Sequence, residues 1–169
     1  MTQSPQCGTA TCCRLLMLVG VLSLAACSEG DLRPLHGVNG SLERTSEARR
    51  APALGQGRLA SLASRNGRER IELLDLRDRA PIPTPGLNRA DAQPVSISIS
   101  GDGERVTVVQ QRDGRTELML YRRSVSALQR IEISPAGVPR QVSLDGDGRT
   151  MAVQISRNGR WDVDIIQLP

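Results

Sequence analysis

The sequence predicts an all-β fold of two to three propeller-type blades, each a four-stranded antiparallel sheet. Two recurring phrases predict it. Ser64-Arg65-Asn66-Gly67-Arg68 returns as Gln111-Arg112-Asp113-Gly114-Arg115 and Ser156-Arg157-Asn158-Gly159-Arg160, so that Gly67, Gly114 and Gly159 stand 47 and 45 residues apart. A fixed period of that size marks stacked supersecondary units. The second phrase runs in phase: Ser100-Gly101-Asp102-Gly103 precedes Arg112 as Asp145-Gly146-Asp147-Gly148 precedes Arg157, with ten residues from Asp102 to Arg112 and ten from Asp147 to Arg157.

Asn-Gly and Asp-Gly between apolar runs signal tight hairpins, because a two-residue type I′ turn needs positive φ at both central positions and these residues tolerate it. The expected corners are Asn66 and Gly67, Asp102 and Gly103, Asp113 and Gly114, Asp147 and Gly148, and Asn158 and Gly159. Between them, Val95, Ile97 and Ile99 alternate with Ser96, Ser98 and Ser100, so that one face is apolar and the other hydroxylated, the period-two pattern of a half-buried strand. Arg105 to Gln111 carries Val106, Val108 and Val109. Leu118 to Tyr121 is continuously apolar, as where both sheet faces are covered, and Leu128 to Ile133 supplies a fourth strand. Four antiparallel strands in about 45 residues make one blade.

The order Ser-Gly-Asp-Gly, apolar strand, Arg-Asp-Gly-Arg, then Glu117-Leu118-Met119-Leu120-Tyr121 resembles the β-propeller repeat of the TolB family, named for the periplasmic component of the Tol-Pal envelope system. Arg70-Ile71-Glu72-Leu73-Leu74-Asp75-Leu76 matches the repeat's last element at most positions, with Arg70 where the family has Glu. Gly101 and Gly146 replace the family's proline, which is expected to leave the turn but loosen it. Gly55-Gln56-Gly57 is a degenerate version of the same turn. The resemblance covers residues 51–169 and implies the fold more strongly than a role, since such repeats also accompany peptidases.

Six blades of about 45 residues would need about 270, so residues 51–169 hold fewer than three. An open three-blade fan, two chains forming one ring, and docking on a partner propeller all follow as possibilities. The last blade is expected to lack its outer strand. Pro81, Pro83 and Pro85 are expected to replace a regular outer strand in the first, because proline removes ladder donors. At the position of Met119 the first repeat has Glu72 and the third Asp164. A polar outer face is expected of a terminal repeat, but blades stack in one sense, so only one of these two can face outward; the other either lies near a solvated rim or marks a different strand register there. On the last strand Trp161, Val163 and Ile165 share one face and Asp162 and Asp164 the other.

Arg14 precedes a twelve-residue apolar stretch, Leu15 to Ala26, with the length of a secretory h-region and too short for a spanning helix of about 20 residues. Leu24-Ala25-Ala26-Cys27 resembles the bacterial lipobox. The expected organisation is a signal peptide over 1–26, an acylated Cys27 opening a tether over 27–50 with a short helical turn in Ser41 to Arg50, and the repeats over 51–169. Acyl chains at about 0.8 kcal/mol per buried methylene would hold the chain on a membrane, and 23 flexible residues would reach about 25 Å. Such a protein belongs to the cell envelope, anchored and facing the periplasm; Ser28 is compatible with outer-membrane sorting.

Chemistry is sparse. His36 is the only histidine, so a Ser-His-Asp arrangement or a multi-histidine metal site has nothing to be built from. With Cys7, Cys12 and Cys13 in the signal segment, the mature chain keeps Cys27 alone and forms no internal disulfide. Asp145 to Gly148 lacks the glutamate that an EF-hand needs. The 22 basic residues are all arginine and alternate with acids; without stacking aromatics they argue against nucleic-acid binding. No cofactor or metal is expected. The favoured function is a non-catalytic lipoprotein that binds another envelope protein, or a second copy of itself, through propeller blades, in envelope integrity or translocation. The alternative is a glycan-binding or hydrolytic envelope protein using blade carboxylates such as Asp162 and Asp164.

Overall fold

A computed structural model describes residues 32–169. Helix α1 (His36–Glu43) is followed by eleven strands: β1 (Ala48–Gly55), β2 (Arg58–Arg65), β3 (Arg68–Asp75), β4 (Pro81–Ile82), β5 (Ala92–Ile99), β6 (Arg105–Arg112), β7 (Arg115–Arg122), β8 (Ala127–Ile131), β9 (Val138–Leu144), β10 (Thr150–Arg157) and β11 (Arg160–Gln167). They form three antiparallel sheets in chain order, β1-β2-β3-β4, β5-β6-β7-β8 and the three-stranded β9-β10-β11. The predicted strands fall in place, β4 is cut to two residues by its prolines, and no fourth strand pairs with β11 among the described residues.

The segment expected as a tether through residue 50 is partly ordered. Its helix lies earlier than expected, ended by side chains that occupy carbonyls of its last turn: Arg44 Nε donates to Gly40 O and Thr45 Oγ1 to Leu42 O. Residues 48–50 belong to β1, drawn there by cross-sheet ion pairs, Arg49 to Glu72 at 2.9 Å and Arg50 to Glu69. Between Arg50 and Ala53 the β1 register shifts; the bulge takes up Pro52, which has no N–H to give the ladder.

The middle sheet is covered on both faces. Ile97, Ile99, Val106, Val108, Met119 and Tyr121 pack against Ala60, Leu62, Ile71 and Leu73 of the first sheet. On the opposite face Val109, Leu118 and Leu120 pack against Val142, Leu144, Met151, Val153 and Ile155 of the third. Each fully buried aliphatic or methionine side chain contributes about 1.5–3 kcal/mol by area. The buried Tyr121 donates its hydroxyl to Pro85 O at 3.1 Å, so the proline-rich segment is tied down through its carbonyl rather than through a ladder.

The alternation on β5 has a different meaning from a half-exposed strand. Ser96, Ser98 and Ser100 are all buried. Ser96 Oγ accepts the N–H of Val142 at 3.2 Å and Ser98 Oγ that of Leu144 at 2.8 Å, so the serines satisfy backbone donors on β9 that the third sheet itself leaves open.

Candidate functional site

The hairpins β2–β3, β6–β7 and β10–β11 are closed by the Arg-Asx-Gly-Arg phrases. Asn66 and Gly67 (φ 52° and 76°), Asp113 and Gly114 (50° and 73°) and Asn158 and Gly159 (51° and 79°) are left-handed at both positions, the type I′ geometry expected. At Asp102-Gly103 and Asp147-Gly148 only the glycines are left-handed. These are longer connections, with Gly103 N–H on Ser100 O and Gly148 N–H on Asp145 O. The aspartate accepts the amide two residues on, from Glu104 at 2.9 Å and Arg149 at 2.7 Å, which holds it out of the left-handed region. The Ser100 hydroxyl, then the Glu104 amide, keep the Asp102 carboxyl below the ordinary range.

Between the first two type I′ turns lies an open cleft of about 550 Å³, lined by Arg68, Glu69, Asp91, Arg112, Asp113 and Gly114 among others. Asp91 accepts from Arg89 Nε at 3.0 Å and Arg112 Nε at 2.9 Å, and the Arg89 bond above all lowers its carboxyl to about 2. Arg50 holds the Glu69 carboxyl low in the same way. Carboxylates fixed in the ionised form order guanidinium groups and are poor proton donors. Among the described residues no three His, Cys, Asp or Glu side chains come together as a metal site. Cys27 and the apolar stretch before it lie outside the described residues.

The last strand reverses the ordinary relation of apolar and charged faces. Trp161, Val163 and Ile165 are 54 %, 66 % and 69 % exposed. Asp162 and Asp164 lie on the face turned to the middle sheet, opposite the buried Ile155 and Val153. Near the rim Arg157 Nη1 meets Asp164 at 2.9 Å while its Nη2 donates to Pro135 O, and Arg160 Nε meets Asp162 at 3.1 Å. The Arg157 bond pulls the Asp164 carboxyl below its usual range. Glu72 is the terminal polar residue: it lies on the outward face of the first sheet, with Arg49 and Arg70 at 2.9 and 3.6 Å. On the same side, Arg49 also donates to Leu42 O at the end of α1.

Contacts between successive sheets repeat. The amide of Gln56 donates to Gly101 O at 2.6 Å and that of Gly101 to Gly146 O at 2.8 Å. Arg58 Nη1 reaches Asp102 O and Arg105 Nη1 reaches Gly148 O. The glycines at 101 and 55 therefore tighten the stack: a Cβ on Gly101 would stand 2.8 Å from Gly146 O and one on Gly55 2.5 Å from Ser100 O. The expectation that glycine loosens these turns is corrected at Gly101 by that approach, which a side chain would block; a Cβ on Gly146 would meet nothing within 4 Å. The arginine arms were missed in the sequence, although Arg58 and Arg105 stand in phase, 47 residues apart.

No family model and no curated protein matches this chain. Solved structures do. TolB from Acinetobacter baumannii superimposes with a TM-score of 0.55 at 20% identity, over 69% of this chain and 29% of that one. A Mycobacterium tuberculosis puromycin-hydrolyzing peptidase gives 0.53 at 20%, over 72% and 19%. Kuenenia stuttgartiensis hydrazine synthase gives 0.50 at 19%, over 70% and 34%.

The arc is three consecutive β-propeller blades. The chain thus spans about a third or less of the length of these proteins, and fold likeness to so varied a set leaves activity to the site itself. By repeat position, Ile71 and Leu73 of the first blade, Leu118 and Leu120 of the second, and Val163 and Ile165 of the third are equivalents. The first two pairs are buried, each against the following blade. The third pair is open.

Proposed function

We propose that this protein is a lipid-anchored propeller module of the bacterial cell envelope that works by binding another protein. The observation that carries the reading is the contrast between the two ends of the arc. The outward face of the first blade is closed by Arg49, Arg70 and Glu72, with Arg49 tied to α1, whereas that of the third presents Trp161, Val163 and Ile165 to solvent. Polar terminal faces keep repeat arrays soluble, and contiguous exposed apolar residues mark interaction sites. The likeness of the blades to part of TolB supports a propeller used for protein interaction, in the periplasm. The Leu24-Ala25-Ala26-Cys27 motif supports acylation at Cys27. The carboxylates of the hydrolytic alternative, Asp162 and Asp164, are committed to Arg160 and Arg157, which favours binding over acid-base work.

Labelled palmitate fed to cells expressing the full chain is expected to enter the protein and to hold it in the membrane fraction, and Cys27→Ala to abolish both. Crosslinking in the same cells is expected to give a higher-mass adduct that Val163→Asp removes. An unlabelled, freely soluble monomer without adducts would overturn the proposal.

A further inference from the structure

Resting on the reading of this chain as a binding module, we infer that the open face of the third blade receives a further blade-like β-sheet belonging to a partner protein, seated on it as the third blade seats on the second. The argument is continuity with an interface the molecule already contains. Each blade uses one face to receive the next: Ala60, Leu62, Ile71 and Leu73 in the first, Thr107, Val109, Leu118 and Leu120 in the second. The same positions in the third are Ala152, Gln154, Val163 and Ile165, paired in the same register across β10 and β11. Gln141, Ser143, Thr150, Ser156, Trp161 and Gln167 stand beside them in the same register, and the exposed Arg140, the extra residue of the β9 bulge, stands at the position of Val95 in the second blade.

Its polar fittings are also those of a receiving face. Ser143 stands opposite Ala152 as Ser98 stands opposite Thr107. Ser98 Oγ accepts an amide of the following inner strand, and Ser143 is an exposed acceptor at the matching point. Gly146 occupies the place of Gly101, and nothing lies within 4 Å of the Cβ it lacks, so a backbone has room to approach it as Gly146 approaches Gly101. Two differences make the contact separable. Thr150 stands where Arg105 staples the second blade to the third, and Gln154 replaces the buried Val109. A removable partner needs such a face; a permanent neighbour is held by the arginine arm.

A second copy joined head to tail does not fit. The faces that seat on a preceding blade share a central valine, Val108 in the second and Val153 in the third, beside Met119 in the second and the Asp164 that Arg157 neutralises in the third. The first blade has Ser61 and Glu72 at the positions of Val108 and Met119, with Glu72 inside its ion cluster. With no central valine to seat, packing the four-membered cluster of Glu47, Arg49, Arg70 and Glu72 on Val163 and Ile165 would strip water from its charges and give them no new partner. The partner's face is therefore aliphatic, on central strands of alternating pattern, with an inner strand offering a free N–H.

The test places a photoreactive amino acid at Val163, at Ser143 and, as controls, at Gln129 and Asp113 of the full chain in the cells that make it, and maps the crosslinked peptides. Adducts from 163 and 143 to an alternating aliphatic strand of another protein, reduced roughly tenfold or more by Ile165→Asp, are expected, with no such adduct from 129 or 113. Adducts from 163 that map to this chain, or to a helical segment of another protein, overturn the inference. So does a protein captured only from position 113, which leaves the binding-module reading standing. No protein adduct from any of the four positions overturns both.

Discussion

The amide of Gly101 donates to the carbonyl oxygen of Gly146 at 2.8 Å, and the amide of Gln56 donates to Gly101 O at 2.6 Å. One backbone thread thus ties the three blades together where their inner strands end. Its geometry depends on the absence of a side chain at the middle link, which makes the first prediction a comparison of two glycines.

Gly101→Ala places a Cβ 2.8 Å from Gly146 O, a backbone atom. The blades must part or shift, and forced overpacking of this kind costs about 1–3 kcal/mol. Gly146→Ala meets nothing within 4 Å and is expected to stay within about 0.5 kcal/mol. Urea unfolding of both variants measures the difference; equal effects would remove the close approach from the account of blade stacking.

Leu120 and Ile165 occupy one repeat position with opposite surroundings, 0 % and 69 % exposed. Leu120→Ala is expected to cost about 2–5 kcal/mol, as a buried cavity does. Ile165→Ala should stay within about 0.5 kcal/mol for the isolated chain. Thermal unfolding of the purified protein reads both, and a large loss from Ile165→Ala would show that its face is already covered.

Ser98→Ala removes the acceptor that Leu144 N–H uses in the blade interface. A buried donor left without a partner costs about 1–3 kcal/mol. Ser143→Ala, at the open equivalent, should leave unfolding nearly unchanged. Faster hydrogen exchange at the Leu144 amide in Ser98→Ala is the site-specific readout.

Asp91 titrates at about 2 rather than 3.8 because of Arg89 first and, further down, Arg112. A lowered folded-state value means that the pairing contributes stability above the unfolded value, and that this contribution is lost as pH falls through the folded one. The cluster is therefore expected to persist at pH 4 and to break as pH approaches about 2. Carbon-detected NMR titration of the Asp91 carboxyl follows this, and Arg89→Ala should move its midpoint up toward the ordinary aspartate range.

Particular residues show how far sequence patterns reach. The type I′ corners at Asn66-Gly67, Asp113-Gly114 and Asn158-Gly159 were legible because a two-residue turn is a local φ/ψ requirement. Leu118 to Tyr121 was legible as a doubly covered strand because an unbroken apolar run has no solvated face. The burial of the β5 serines was not legible from the half-buried pattern: a hydroxyl suits water and a buried amide equally, and only the neighbouring strand decides which it meets. Arg49 and Arg50 were read as tether for a similar reason, since Glu72 and Glu69 lie about twenty residues further along the chain.

By itself the sequence determined the repeat, its period, the tight corners and the alternation on each strand, because these depend on short-range dihedral and side-chain periodicity. The tertiary structure decided which face of each strand is covered. Trp161, Val163 and Ile165 alternate with Asp162 and Asp164 in either case. The acids turn inward because Arg157 and Arg160 neutralise them near the rim, and the apolar residues turn outward because the stacking direction set by the first two blades leaves them no choice.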